Sequence, residues 1–130
     1  MTIIQRHPDP WVDLPFHYAA ATLQSLQDVG MMIDRLWTDP CDPRDVTLVF
    51  QNLKALTWDE DHGWIVGEFV SGRQGERTVL AAPRQLVGKV LPAPAEVVAA
   101  IRAGVGVEPV RLRHYGARDG IDEMLLNYAN

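Results

Sequence analysis

Leu56-Thr57-Trp58-Asp59-Glu60-Asp61-His62-Gly63-Trp64-Ile65-Val66 reads as a β-hairpin with an acidic tip between two tryptophans. β-Branched and aromatic residues flank a run of turn formers. With the loop at residues 59–63, Trp58 faces Trp64, Leu56 faces Val66 and Lys54 faces Glu68. On the opposite face Thr57 meets Ile65, Ala55 meets Gly67 and Leu53 meets Phe69. Each pair is chemically matched, and a one-residue slip would send every side chain to the wrong face. Both faces of the strand at residues 64–70 are apolar. Such a strand is central and covered on both sides, by helices or by a partner or second copy of the chain. The tip itself reads as a solvated polar turn.

Working outward, residues 46–50 form a β-branched strand and residues 33–38 a short one, joined by an Asp-Pro turn over residues 39–45. Further upstream, Phe16, Ala19, Leu23 and Leu26 recur at helical spacing. Asp13 is the expected N-cap, and Gly30 suits the position just past the helix end. Downstream, residues 71–76 reverse the chain and residues 77–81 form another strand. Pro92-Ala93-Pro94 introduces a helix over residues 95–103, stopped by Gly104. Short connections make consecutive strands antiparallel. The expected fold is therefore α+β: an antiparallel β-meander of four to five strands with an N-terminal and a C-terminal helix packed on it. Residues 1–12 read as an irregular arm and residues 13–104 as a single α+β domain. Residues 105–130 read as a C-terminal extension, an extended segment plus a short docking helix behind Asp119.

Composition narrows the function classes. The 130 residues are 47% hydrophobic and 22% charged, which is normal for one globular domain. A net charge of −5 argues against nucleic acid and against anionic membrane surfaces. Residues 1–64 carry ten acids against four bases, and the remainder seven acids against eight bases. A basic face for nucleic acid would have to be assembled from Arg73, Arg77, Arg84, Lys89, Arg102, Arg111 and Arg113. The single cysteine, Cys41, allows no internal disulfide and points to a reducing compartment. No window reaches the ~18 apolar residues that a membrane span requires, and the start has no signal-peptide pattern. The expectation is a soluble, cytoplasmic protein.

The chemistry-bearing residues are scattered. Asp59, Glu60, Asp61 and His62 are adjacent potential ligands, but neighbours in a tight loop diverge, and their spacing fits neither a calcium loop nor a zinc site. No metal and no cofactor is expected. Cys41 has no histidine placed beside it by the sequence, and the only serines, Ser25 and Ser71, lie in no nucleophile elbow. No glycine group opens a helix after a strand as a phosphate cradle does. No catalytic residue is assigned. Should a pocket lie between sheet and helices, its candidate binding residues are Trp58, Trp64, His62, His17, Arg111 and His114.

Three segments, residues 39–47, residues 56–64 with their Trp-Asp-Glu-x-His-Gly-Trp string, and residues 90–94 ahead of a helix, resemble a family of small actinobacterial proteins known only as a domain of unknown function. The resemblance spans about residues 13–104. It implies a small α+β domain and carries over no catalytic residue.

The leading functional expectation is a non-enzymatic, cytoplasmic protein-binding domain, acting as an adaptor, regulatory or accessory module or as a homodimer. It rests on the doubly apolar sheet and on the apolar cluster Ile121, Met124, Leu125, Leu126 and Tyr128, which must dock somewhere. The alternative is a small-molecule binder or small enzyme with its pocket between sheet and helices.

Overall fold

The computed structural model describes residues 1–39 and 42–129. Cys41, weighed above as a nucleophile, lies outside the described residues, as does Pro40. The elements are β1 (Ile3–Gln5), α1 (Phe16–Asp28), β2 (Ile33–Asp39), β3 (Asp45–Phe50), β4 (Lys54–Asp59), β5 (Gly63–Ser71), β6 (Val79–Gln85), α2 (Pro94–Ala103) and α3 (Ile121–Leu126), followed by a 3₁₀ turn Asn127–Ala129. The fold is α+β. The strands form one open six-stranded sheet in the order β1-β2-β3-β4-β5-β6, wider than the four to five strands expected. Part of the difference comes from the first twelve residues. They are not wholly irregular, because β1 pairs with β2 in parallel, Ile3 opposite Arg35. A three-residue strand without alternating burial leaves no periodic signal in the sequence.

The hairpin has the register that its side chains dictate. Trp58 stands opposite Trp64, Leu56 opposite Val66, Lys54 opposite Glu68, Thr57 opposite Ile65 and Ala55 opposite Gly67. The Phe69 N–H bonds the Leu53 carbonyl at 2.9 Å, as the same register requires. Gly63 turns the chain at φ +70°, and a Cβ there would sit 2.5 Å from the Lys89 carbonyl oxygen. Only glycine satisfies both demands.

Residues of one parity, Leu36, Val46, Leu48, Leu56, Trp58 and Trp64, face α1 and α2 and form the main core. A register shift between Ile33 and Arg35 lets Ile33 share that face with Leu36. Tyr18, Ala19, Leu23 and Leu26 of α1 lie over it, and Val97 and Val98 of α2 complete it. Asp13 does not cap α1, which starts after Pro15 with no side-chain cap. Its carboxylate instead accepts Arg6 at 2.7 Å, the His7 N–H at 3.1 Å and the Thr38 hydroxyl at 2.9 Å, tying the N-terminal segment to β2. Gly104 ends α2 in the left-handed conformation, as expected.

The second face of the sheet is covered by the chain itself. The β5–β6 hairpin curls back, and its loop reaches β1 to β3. Gln74 donates to the Thr38 carbonyl at 3.2 Å, the Gly75 N–H bonds Asp39 at 3.0 Å, and the Thr78 and Thr47 hydroxyls meet at 2.7 Å. Beneath the hairpin Trp37, Val49 and Ala55 form a smaller core with Phe69 and Leu80. The Arg35 guanidinium lies 5.2 Å from the Trp37 ring and 5.3 Å from the Phe69 ring. The terminal apolar cluster is likewise partly used within the chain, since Ile121 and Leu125 are buried in the main core. The N-cap of α3 is Gly120 rather than Asp119, which pairs with Arg113 instead. Among the described residues no helix is long and apolar enough to cross a membrane.

Candidate functional site

The hairpin tip is not a solvated turn. Glu60 and Asp61 are 1% and 5% exposed. Arg44, the residue just before β3, is equally buried and accounts for Glu60. Its backbone N–H donates to one carboxylate oxygen at 2.7 Å and its guanidinium to the other at 2.7 Å. The same guanidinium reaches Asp122 of α3 at 2.6 Å and lies 4.3 Å from the Trp11 ring. Burial alone would depress the Arg44 guanidinium, but Glu60 and Asp122 more than offset it and hold it protonated.

Residues 105–119 strap this network down. The Leu112 N–H donates to the Asp61 carbonyl at 2.7 Å, Arg111 pairs with Asp61 at 3.1 Å, and Arg113 bonds the Glu60 carbonyl at 3.0 Å while clasping Asp119 at 2.8 Å. That clasp holds the Asp119 carboxyl below the ordinary carboxylate range. Gln85, 2% exposed, stitches strap to tip by donating at 2.8 Å to both the His62 and Val110 carbonyls. The acidic first half of the chain and the basic second half meet at this point.

On the outer face Asp39, Asp45 and Asp59 occupy one cross-strand row. Burial, and then the charge of Asp39, push the Asp45 carboxyl up to about 8, although Arg77 lies against it. Burial raises Asp39 to about 6. Among the described residues no group of three or more His, Cys, Asp or Glu side chains is arranged to hold a metal ion.

The six candidate binding residues do not converge. Trp58 and Trp64 are fully buried core residues; their ring N–H groups donate to the Val90 carbonyl at 2.7 Å and to the Tyr18 hydroxyl at 3.0 Å. The Tyr18 hydroxyl in turn donates to the Pro92 carbonyl at 2.5 Å, and burial pushes its pKa upward. His62 sits 3.0 Å from Asp59, on the outer side of the tip, and Arg111 is near it through Asp61. His17 packs edge-on against Phe16 at the far side of α1, and His114 stacks on Tyr115 at 4.5 Å.

A concave surface does lie between sheet and helices, but it is built from other residues. At the end of the inner face away from the tip, helix cover stops and leaves a cleft of about 620 Å³. Met31 and Met32 from the α1–β2 turn, Phe50, Val66, Leu86 and Ile101 make its apolar wall. Gln51, Asn52, Lys54 and Arg84 supply its polar groups. Lys54 belongs there by strand parity, because it shares the inner face with Leu56 and Trp58. A charged side chain on the apolar face of a strand is the signal in the sequence that could have located the cleft. Lys54 and Glu68 are cross-strand neighbours, but they form no ion pair.

Residues 18–103 match a family model described as "Family of unknown function (DUF6292)". The chain belongs to this family. The DUF6292 segment runs from the first buried turn of α1 to the last residue of α2 and holds most of the cleft, including Lys54 and Arg84, together with the Arg44–Glu60 pair. Asp122 and Arg113, which complete the tip network, lie beyond it. No curated protein and no solved structure matches the chain.

Proposed function

We propose that this protein is a cytoplasmic small-molecule binding domain whose ligand sits in the cleft between α2 and the inner face of the sheet. The observation that carries this reading is the cleft itself: about 620 Å³, walled by Met31, Phe50, Val66, Leu86 and Ile101, with polar groups only at its edge. That size and lining are typical of sites for small organic ligands. The supports for partner docking are largely used within the chain: the β5–β6 hairpin covers the outer face, and Ile121 and Leu125 enter the core. Titration with decanol, read by methyl chemical shifts of Met31, Met32, Leu86 and Ile101, tests the reading. Saturable shifts confined to these methyls, lost in Ile101→Trp, are expected; unmoved cleft methyls overturn it.

A second reading, self-association, draws on the exposed apolar rim of Met32, Leu53 and Val105, each 58–64% exposed. Sedimentation equilibrium decides it: a concentration-dependent dimer weakened by Leu53→Asp supports it, and a strict monomer removes it.

A further inference from the structure

We infer that the cleft selects amphipathic organic anions, with Lys54 and Arg84 receiving the head group and the apolar wall receiving the body. This rests on the small-molecule reading above and specifies its ligand class.

The charge distribution carries the inference. The protein as a whole bears −5, yet the residues lining the cleft include two cations, Lys54 and Arg84, and no aspartate or glutamate; Glu68, opposite Lys54 on the sheet, is exposed, lies outside the lining and makes no ion pair with it. Of the ten other cations seven form ion pairs among the described residues, including Arg6 with Asp13, Arg44 with Glu60, Arg77 with Asp45 and Lys89 with Glu96, and the three that do not, Arg35, Arg102 and Arg118, lie outside the cleft lining. Among the described residues no carboxylate comes within ion-pair distance of Lys54 or Arg84. Two unpaired cations at the mouth of an apolar cleft create a local positive potential in an acidic protein, and low-dielectric walls concentrate it.

The sheet places both cations on the same side. Lys54 opens β4 on the inner face, and Arg84 stands opposite Val66, which is itself opposite Leu56. Two inter-strand spacings and two residues along the strand separate them, about 10 Å across the sheet and 7 Å along it. Two long side chains can close that span on one head group. Arg84 is already oriented: its guanidinium donates to the Gly106 carbonyl, and it passes so close to Gly106 that a Cβ there would lie 2.8 Å from its own. Its other guanidinium N–H groups have no protein acceptor among the described residues, so its fork remains open to a carboxylate or phosphate. Val66, Leu86 and Ile101 give the same cleft an apolar floor that reaches the last turn of α2. At that inner end the last α2 carbonyls are capped, Ala100 by the Val105 N–H at 3.1 Å and Ile101 by the Gly104 N–H at 3.1 Å. The floor is therefore suited to a hydrocarbon body and the β4–β6 mouth to an anion.

The experiment compares three probes with the same ten-carbon chain, decanoate, decyl phosphate and decanol, titrated below micelle formation into the full chain and read by the cleft methyl shifts. At least one anion is expected to bind about tenfold tighter than decanol, the scale of one charge-assisted contact, and the tighter of the two identifies the head group. In the double variant Lys54→Gln, Arg84→Gln the ratio of anion to decanol affinity should fall to about one, and unchanged shifts of core methyls remote from the cleft show that the variant is folded. Added salt should weaken the anions and spare the alcohol. If decanol binds the wild type as tightly as both anions do, or the double variant keeps the preference, the anion inference fails and the small-molecule reading stands. If none of the three binds, the cleft reading itself fails.

Discussion

The two ends of β4 use the same kinds of residue in opposite ways. At the tip end, Arg44, Glu60, Arg113 and Asp122 are drawn into one partly buried network, with the Arg111–Asp61 pair beside it. At the cleft end, Lys54 and Arg84 stand exposed and carry no ion pair among the described residues. Removing charges from water is costly, so a buried charge persists only where partners and hydrogen bonds replace its hydration. The tip meets that demand and is architecture. An unpaired cation beside an apolar wall keeps its water and its capacity to bind, and is available for recognition. The lesson is that the conspicuous charges of a sequence are not its available ones.

Several substitutions would break or sharpen this contrast. The largest effect is expected for Glu60→Ala, which strands Arg44 in the interior. Removing one partner of a buried pair costs about 3–5 kcal/mol, measurable as a lower urea midpoint at unchanged slope. A loss under about 1 kcal/mol, the range of exposed pairs, would deny the network a structural role. Gly63→Ala should cost about 2 kcal/mol, combining a left-handed backbone with a Cβ pressed on the Lys89 carbonyl, and thermal unfolding would report it.

The aspartate row beside the tip makes a pH-dependent contribution. A carboxyl that holds its proton more tightly folded than unfolded withdraws stability as pH rises from its unfolded value near 3.8 toward its folded one. For Asp45 that interval ends at about 8. Unfolding free energy should therefore fall between pH 5 and pH 8, and Asp45→Asn should flatten the slope; an unchanged slope would place the titration elsewhere. The smallest effect belongs to the cleft. Lys54→Gln should shift stability by no more than about 0.5 kcal/mol, because the side chain is exposed and has no ion-pair partner. A larger loss would make Lys54 architectural and erase the difference between the ends.

Much of the fold can be read from residue order because its determinants are local. The hairpin register follows from six cross-strand pairs, and α2 is framed by Pro94 and Gly104, whose backbone preferences need no tertiary help. Asp13 shows the limit of this reasoning. Its type and position suit a helix cap, but Arg6 and Thr38 offer it stronger partners, and they come from elements that the local pattern does not bring together. Of the candidate binding residues, Trp58 and Trp64 went to the core because large apolar rings gain most there. The cleft was legible only through Lys54, whose strand parity put a charge on the apolar face.

Composition and local pattern by themselves determined the α+β class, the central hairpin with its register, and the presence of acidic and basic halves. Short-range sterics, turn chemistry and the two-residue period of a strand act between neighbours, so residue order suffices to read them. Only the tertiary structure decided which charges are buried and which are free. Whether Glu60 faces water or Arg44, and whether Lys54 meets Glu68 or an open cleft, depends on groups distant along the chain and on the dielectric they create together.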